Sequence, residues 1–354
     1  MHELNFKLFF NPQFHRPEMN PAHNPRMTPE SPDSDLMARA AWLSFVGDLS
    51  QKQIAERLGI SRIKANRLIA RAIERKLVRF SVESVPVECV ALEDRLMRAF
   101  GLSSCFVAPT VADLSDRDLP LASLAAAGAF VLQREFADAR RKTIGVGHGR
   151  TLEATVEALP HKAHKHLRFV SLLGCLSRVG AADPLDVVHH LCKITAAECY
   201  YLPAPLFAAS KKDKRMLMQQ KLTRKVVQMG MAADAYVIGI GDMGRQSYLF
   251  NKVTAAERAS LLGKGAVGDI LGCFIDRDGR EVECGINQRA VTVGLPPLRG
   301  KPVLAIAGGV AKQAAITAAL RSGVVTDLVT DENTAARIMK SAGASMPAPA
   351  SMRA

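Results

Sequence analysis

The chain has 354 residues, and its 47 Lys and Arg outnumber its 34 Asp and Glu, so its formal net charge is +13. That length predicts two domains, and the 48% hydrophobic content is that of an ordinary globular protein. Seven Cys without a CxxC pair exclude a disulfide framework and a CxxC metal site. No run of about 18 apolar residues predicts a membrane span, and the N-terminus is a poor secretory signal. We therefore expect a cytoplasmic protein without metal or cofactor, whose positive charge permits a polyanionic partner.

The N-terminal part of the sequence changes character twice. Residues 1–33 contain six Pro and no periodic apolar pattern, which predicts a disordered tail. Residues 34–84 then show three short series of apolar residues at helical spacing, and Leu58-Gly59-Ile60-Ser61 lies between the second and the third. This pattern predicts a helix-turn-helix domain that ends in a short strand at 78–82, in the position of a wing. Residues 85–101 predict a linking helix that ends at glycine.

Residues 102–345 alternate between apolar strands and helices, with glycines between them. Such alternation predicts an α/β domain with an open, mainly parallel sheet covered by helices. Strands are predicted at 105–108, 143–146, 169–173, 235–240, 270–275, 303–307 and 327–330, and helices at 121–139, 152–159, 184–197, 211–230 and 310–322. A hairpin is predicted to turn at Asp278-Gly279. The last residues, 346–354, are predicted to be a flexible C-terminus.

The segment from Ser50 to Leu77 has the strongest functional signal. Ser50 and Gln53 have the spacing of a capping box, and Ser61 can cap the next helix. On a helical wheel, residues 61–77 place small apolar side chains on one side and cations on the other, with six Lys or Arg against one Glu. Such a face suits the major groove of operator DNA, although a solvated surface helix would have the same composition. The predicted DNA-binding residues are Ser50, Gln51, Ser61, Arg62, Ile63, Lys64, Asn66, Arg67 and Arg71.

The positive charge is unevenly distributed along the chain. Residues 50–83 contain nine Lys or Arg and three Glu, and so hold nearly half of the net charge. The remainder is expected to be spread thinly over the α/β domain. The charge thus indicates double-stranded DNA as a partner, and its placement indicates the element that binds it.

A glycine-rich turn follows the strand predicted at 143–146. Gly147 and Gly149 would let backbone N–H groups approach a ligand, Arg150 adds a cation, and Thr151 is placed to cap the following helix. A turn of this kind at a helix N-terminus can bind an anion. The alternative is a tight turn that needs glycine for its geometry only.

A second turn of the same kind follows the strand predicted at 303–307. Gly308 and Gly309 precede a helix with Lys312 in its first turn. Because the carboxyl ends of parallel strands face one crevice, both turns are expected to line one ligand site. The alternative is that Lys312 faces solvent.

The sequence LSQKQIAERLGISRIKANRLIARAIERKLVRF resembles the helix-turn-helix of the SorC/DeoR-type sugar-binding transcriptional regulators. The blocks IGVGHGRT, GAVGDILGCFID and LAIAGGVAKQAAI resemble the effector-binding domain of the same family and extend the resemblance over about 88–345. The resemblance implies a Rossmann-like open α/β domain, similar in fold to the ribose-phosphate isomerases and glucosamine-phosphate deaminases. It also implies that this domain binds a small sugar, a polyol or one of their phosphates. A weaker likeness is to the erythritol-catabolism branch of the family.

The resemblance also implies a set of effector-binding residues, namely Gly147, Gly149, Arg150, Thr151, Gly174, Asp269, Gly308, Gly309 and Lys312. Two departures from the family pattern leave the operator and the ligand open. Ala65-Asn66-Arg67 stands where many members have Val-Ser-Arg, and Leu-Leu-Gly-Cys at 172–175 stands where many have Gly-Gly.

Two functions are compatible with the sequence. The favoured one is a DNA-binding regulator, repressor or activator, of a carbohydrate or polyol catabolic operon. It would be a homodimer or homotetramer without catalytic residues. The alternative is a sugar-phosphate isomerase or deaminase with an accessory DNA-binding domain. For that enzyme Asp269, Asp242 and His148 are possible acid/base groups, although none stands in a recognisable motif.

Three further signals are weaker. The GxGxxG at 239–244 is not followed by an amphipathic helix, which disfavours a dinucleotide site. The histidines of 161–166 have no Asp, Glu or Cys within the run, so a solvated basic loop is favoured over a metal site. His189-His190 is more consistent with core and surface positions than with a ligand pair.

Overall fold

The computed structural model describes residues 32–75, 77–78, 86–110, 119–176, 187–244 and 247–343. The chain divides into two compact units, residues 1–81 and 82–354. The first described helix begins at Pro32, two residues inside the segment predicted as a tail. Residues 1–31, the wing strand beyond Val78 and the predicted C-terminal segment 346–354 lie outside the described residues.

Three helices make up the described part of the N-terminal unit, α1 (Pro32–Phe45), α2 (Gln51–Leu58) and α3 (Arg62–Glu74). Gly59 ends α2 in the left-handed conformation, with φ +65°, and its N–H bonds to carbonyl groups of the last turn. The three helices together bury a small apolar core. Its buried residues are Met37, Ala40, Ala41, Ile54, Ala55, Ala65, Leu68, Ile69 and Ala72.

The C-terminal unit begins with α4 (Val87–Phe100), where the sequence predicts the linking helix. The described strands are β1 (Ser104–Ala108), β2 (Thr143–Val146), β3 (Arg168–Ser171), β4 (Glu198–Tyr200), β5 (Ala235–Ile238), β6 (Gly241–Asp242), β7 (Gly268–Ile270), β8 (Cys273–Ile275), β9 (Val303–Ile306) and β10 (Asp327–Asp331). The further helices are α5 (Leu119–Ala137), α6 (Arg150–Ala158), α7 (Val187–Thr195), α8 (Lys211–Gln219), α9 (Lys221–Met231), α10 (Ala255–Gly263), α11 (Gly285–Arg289), α12 (Gln313–Arg321) and α13 (Glu332–Gly343).

Seven of the strands form one sheet in the order β1-β10-β9-β5-β2-β3-β4, and every neighbouring pair is parallel. Helices cover both faces, because each strand turns alternate apolar side chains to opposite sides. On β5, Tyr236 and Ile238 enter the core that α4, α9, α12 and α13 cover, whereas Val237 enters the core under α5, α6 and α7. This layered sheet confirms the predicted open α/β fold.

The strands β6, β7 and β8 form a separate antiparallel sheet. The single strand predicted at 270–275 is therefore wrong. Leu271 and Gly272 have φ of 53° and 76°, so the chain reverses between β7 and β8. The apolar run in the sequence is continuous, and its pattern does not reveal a reversal of two residues. The hairpin turn predicted at Asp278-Gly279 is present after β8, where an antiparallel bridge closes it.

Two predicted helices are broken. The helix predicted at 211–230 is divided into α8 and α9, because Gln220 between them has φ −57° and ψ 133°. The helix predicted at 310–322 starts with a 3-10 turn, Val310–Lys312, before α12. The prediction also omitted α10, α11 and α13, although Thr254 and Glu257 form a capping box at the start of α10.

The sheet has a topological switch point between β2 and β5. From β2 the chain adds β3 and then β4 on one side, and it returns to place β5 on the other side of β2. At such a point the connections leave the carboxyl ends of the two strands in opposite directions, and a crevice opens between them. The turns that follow β2 and β5 therefore lie at the place where open α/β sheets bind ligands.

Candidate functional site

The first candidate site is the outer face of α3. Ala65, Leu68, Ile69 and Ala72 point into the core, and the predicted DNA-binding side chains that belong to α3 lie on its remaining surface. The side chain of Ile63 is 83% exposed, an unusual position for a large apolar group. Arg62, Asn66, Arg67 and Arg71 are exposed, and Lys64 is half-buried.

The residues at the ends of α2 and α3 hold the two helices in place. Ser50 and Gln53 form the predicted capping box, and the Ser50 N–H donates to Gln53 Oε1 at 2.9 Å. Ser61 caps α3, since its Oγ accepts from the Lys64 N–H at 3.2 Å. These two serines thus have a structural role whether or not they contact DNA.

A side-chain hydrogen bond joins the first turns of the same two helices. Gln51 Nε2 donates to Asn66 Oδ1 at 3.0 Å, and both residues belong to the predicted DNA-binding set. The bond orients the Asn66 amide relative to α2. It therefore fixes which edge of Asn66 is presented on the exposed surface of α3.

The second candidate site is a cleft at the carboxyl ends of β2 and β5, with a cavity of about 70 Å³. Such a volume holds several water-sized groups. Five of the predicted effector-binding residues line it, and they are Gly149, Arg150, Thr151, Asp269 and Lys312. Its further lining comes chiefly from His148, Leu173, Leu176, 239–242, 247–249, Leu271 and Gly272.

One end of the cleft is the N-terminus of α6. Gly149 is the N-cap residue, with φ 137°, and no side chain caps the helix. The prediction that Thr151 caps α6 is wrong, because Thr151 lies within the first turn and its carbonyl accepts from Thr155 Oγ1 at 2.7 Å. The exposed Arg150 adds a cation to the positive end of the helix dipole. This end of the cleft therefore favours an anion.

The cleft also contains two buried carboxylates. Asp242 on β6 and Asp269 on β7 lie on neighbouring antiparallel strands and are 8% and 7% exposed. Asp269 Oδ2 accepts from the Gly272 N–H at 3.3 Å, and Asp269 Oδ1 has no hydrogen-bond partner among the described residues. A side chain at Gly241 would collide with this carboxylate, so only glycine fits beside it.

Burial shifts the pKa of two charged groups in the cleft. Burial raises the pKa of Asp269 to about 6, although the Gly272 N–H and the charge of Lys312 oppose the rise. Burial also lowers the pKa of Lys312, and the nearby Asp242 carboxylate opposes that change. Lys312 Nζ donates to the Ile240 carbonyl at 3.0 Å, which holds the ammonium at the cleft. An anionic and a cationic group thus share one small volume, an arrangement suited to a ligand with several hydroxyl groups.

Four predicted effector-binding glycines do not line the cleft. Gly147 lies in the turn after β2, and its N–H donates to the Val237 carbonyl at 2.8 Å. The Gly309 N–H donates to Asp331 Oδ2 at 2.7 Å and to Thr334 Oγ1 at 2.9 Å. Gly308 lies against the same Asp331 carboxylate, and Gly174 is packed on the backbone of 204–206. In the structure these glycines shape the turns and the core around the cleft.

The segment after β5 contains no residue that the sequence predicts to bind effector. Its GxGxxG at 239–244 continues into β6, so it does not open a helix as a dinucleotide-binding turn does. It nevertheless supplies Ile240, Gly241 and Asp242 to the cleft. The signal that could have identified it is its place after an apolar strand, which the turns at 147–149 and 308–309 share.

The groups considered for an enzyme are also brought together. His148, Asp242 and Asp269 all line the cleft, and His148 Nε2 lies 3.5 Å from Ser171 Oγ. Geometry alone thus leaves both functions open, and comparison with known proteins decides between them.

The solvated loop predicted at 161–166 is wrong for His164, which is 7% exposed, and His190 also has a structural neighbour. His164 is buried with its ring 5.7 Å from that of Phe136, and His190 Nδ1 lies 3.0 Å from Glu153 Oε1. Among the described residues, no group of three or more His, Cys, Asp or Glu could hold a metal ion. No described helix has both the length and the apolar character that a membrane span requires.

Comparison with known protein sequences covers both units. A family described as "Putative sugar-binding domain" matches residues 84–340. The erythritol catabolism regulatory protein EryD of Brucella abortus (strain 2308) is 38% identical over 305 residues, 86% of this chain and 96% of EryD. The transcriptional regulator LsrR of Klebsiella pneumoniae subsp. pneumoniae is 31% identical over 326 residues, 87% of this chain and 93% of LsrR.

Solved structures give the same result. The full-length sorbitol operon regulator SorC from Klebsiella pneumoniae matches with a TM-score of 0.64 and 25% identity, over 87% of this chain and 100% of that one. A DeoR family transcriptional regulator from Listeria monocytogenes matches with a TM-score of 0.65 and 27% identity, over 71% and 99%. These relatives are named as regulators, so the isomerase or deaminase alternative is not favoured. The chain belongs to the SorC/DeoR-type family of sugar-binding transcriptional regulators.

Proposed function

We propose that this regulator controls a carbohydrate or polyol catabolic operon, binding operator DNA through α3 and a small effector in the cleft between β2 and β5. The observation that carries the proposal is the cleft itself. It combines an uncapped helix N-terminus and two cations with two buried carboxylates, one of which has an oxygen without a partner among the described residues. A polyol or sugar, free or phosphorylated, would satisfy both kinds of group.

The groups that line the cleft would have different roles in effector binding. A phosphate of the effector would lie at the N-terminus of α6, against the backbone N–H groups near Gly149 and the Arg150 guanidinium. Hydroxyl groups of the effector would donate to the carboxylates of Asp242 and Asp269. Lys312 donates to the Ile240 carbonyl and is near enough to both carboxylates to feel their charge, and it can also donate to a hydroxyl or a phosphate oxygen of the effector.

On the DNA side, α3 would enter the major groove. Arg62, Arg67 and Arg71 can contact phosphates or guanine edges, and Asn66 is suited to adenine. The exposed Ile63 fits contact with a thymine methyl group, which accounts for a large apolar side chain in a cationic surface.

Operator recognition and effector control both favour an oligomer. Helix-turn-helix proteins read paired half-sites through the symmetry of a dimer, so we infer a homodimer or a homotetramer. The effector can change operator affinity only if it binds two conformations of the chain with different affinity. The relative EryD is named for erythritol catabolism, which makes short polyols and their phosphates the first effectors to test.

The test is a titration of the promoter next to the chain's own gene, repeated with erythritol, sorbitol and their phosphates. We expect specific binding and a change of operator affinity with at least one compound. Lys312→Ala should leave the affinity for the promoter unchanged and weaken the response to that compound. Lys340→Ala, which removes an exposed lysine on α13, is the matched control. A chain that shows no preference for its promoter, or that responds normally after Lys312→Ala, would contradict the respective half of the proposal.

A further inference from the structure

The effector-binding unit contains a second concentration of positive charge, so the expectation that its charge is spread thinly is wrong. Residues 211–225 contain seven Lys or Arg and one Asp. Their net charge equals that of residues 50–83, which include the DNA-binding helices. The cations lie on α8 and at the start of α9, far along the chain from α3.

Six of these cations are exposed on the two helices. We name them the α8–α9 basic face, and they are Lys211, Lys212, Arg215, Lys221, Arg224 and Lys225. None of them forms an ion pair with a residue that the structure describes. The single acid of the segment, Asp213, is engaged with the capping residue Ser210, whose Oγ donates to its carboxylate at 2.8 Å.

Three other exposed arginines of the unit are paired with neighbouring carboxylates. Arg140 pairs with Asp138 at 2.8 Å, Arg168 with Glu198 at 3.2 Å, and Arg280 with Asp278 at 3.1 Å. Paired charges of this kind are common on protein surfaces. The α8–α9 basic face differs in density, because six exposed cations without an ion pair among the described residues lie within fifteen positions of the chain.

The position of these cations does not stabilise the two helices. Lys221 and Arg224 lie in the first turn of α9, where the helix dipole disfavours cations, and that turn contains no acid. Lys221 and Lys225 are four residues apart, so their like charges repel. The inner face of α9 packs through Val226 and Val227 and does not depend on the cations. Stability therefore does not explain the α8–α9 basic face.

We propose that the α8–α9 basic face binds the phosphate backbone of DNA beside the sequence that α3 recognises. The inference rests on the proposed DNA-binding function. DNA is favoured over a protein partner because protein interfaces are depleted in lysine, whereas DNA-binding surfaces are strongly positive. A row of cations without a groove-reading helix contacts phosphates, which carry no sequence information. This surface would add affinity and leave specificity to α3.

The test measures the affinity of the full-length chain for duplex DNA at several salt concentrations. One duplex contains the promoter sequence extended by about two helical turns on each side, and a second of equal length is unrelated in sequence. The variant Lys221→Gln/Arg224→Gln/Lys225→Gln removes three charges and keeps residues that favour helix. The control Arg140→Gln/Arg168→Gln/Arg280→Gln removes the same charge at paired positions.

The triple variant on α9 should weaken binding to both duplexes several-fold. The slope of log affinity against log salt is negative, and it should become shallower by about 0.9 for each phosphate that the variant no longer binds. Replacing Lys221 and Lys225 by Arg should preserve the wild-type slope. An α9 variant whose DNA affinity and salt slope equal those of the control would overturn the proposal. So would an α9 variant that binds DNA like wild type but binds an acidic protein or an anionic vesicle less tightly than wild type does. A wild-type chain that binds both duplexes equally would instead contradict the proposed operator recognition.

Discussion

The two candidate sites use charge in opposite ways. On α3 the arginines are exposed, so water solvates them, and their attraction for the proposed DNA partner would be long-range and screened by salt. In the cleft Asp242 and Asp269 are buried and Lys312 is half-buried, so burial shifts the pKa of Asp269 and of Lys312. The difference teaches that DNA affinity should respond chiefly to salt, whereas the cleft should respond chiefly to pH.

The largest expected effect concerns the packing that holds the cleft in place. Gly174→Ala should lower the free energy of unfolding by about 3 kcal/mol, because a Cβ there would overlap the backbone of Ala204 and Pro205, which cannot move aside. Chemical denaturation measures the change. Gly263→Ala is the control, since nothing lies within 4 Å of its Cβ position. A Gly174→Ala variant that is as stable as the control but no longer responds to effector would contradict this packing role. It would instead support the direct effector contact that the sequence predicts for Gly174.

Asp269→Asn sharpens the comparison through pH. The raised pKa means that the folded chain holds this proton more tightly than the unfolded chain, so wild-type stability falls as pH rises from about 4 to about 6. Above that range the variant should be more stable than wild type by about 3 kcal/mol, and the gain should shrink as pH falls towards 4. Urea unfolding across this range measures it. The exposed Asp94→Asn on α4 is the control, and an equal gain at every pH would refute the buried charge.

Arg67→Ala tests the other region through DNA affinity. Its loss should weaken operator binding by about 1–3 kcal/mol if Arg67 reads a base, or lower the salt slope by about one if it binds phosphate. Fluorescence anisotropy at several salt concentrations separates the two outcomes. The affinity for effector should not change. Arg140→Ala removes an exposed arginine of the other unit and should have no comparable effect, and operator affinity equal to wild type would remove Arg67 from the interface.

The smallest expected effect is at the cap of α3. Ser61→Ala should destabilise the N-terminal unit by about 1 kcal/mol, because the Lys64 N–H loses its acceptor. Amide hydrogen exchange of α3 reports the change. Ser260→Ala, inside α10, should show no such loss. Unchanged protection of α3 would mean that Ser61 does not stabilise the helix.

The sequence was most informative where function and fold depend on local spacing. The capping box at Ser50, the cap at Ser61 and the buried side of α3 all follow from residues within one or two turns of each other. Six of the seven parallel strands were also predictable, because strands buried on both faces are continuous apolar runs. The edge strand β4 was missed, since its three residues are exposed or half-buried and form no such run. Such a run conceals a short interruption, which is why the reversal at Leu271-Gly272 was missed. The break at Gln220 was missed for another reason, because helical patterning continues on both sides of it.

The cleft was less predictable because its residues are distant in sequence. Arg150, Asp242, Asp269 and Lys312 meet only after β5 returns beside β2. Sequence patterns identified the glycine turns but not which amides face the ligand, since the Gly309 N–H is bound by Asp331. Asp242 was considered only as a possible acid/base group of an enzyme. Its turn matched a dinucleotide-binding motif but lacked the helix that this motif needs, so the turn was not assigned to the effector site.

The central claim is that α3 and the cleft are coupled through the conformation of the chain, and one double titration tests it. Operator affinity is measured with and without the compound that alters promoter binding, and the affinity for that compound is measured with and without operator. We expect the two ratios of affinities to be equal and different from one, because coupling between two sites is reciprocal. An effector affinity that operator DNA leaves unchanged would contradict the account.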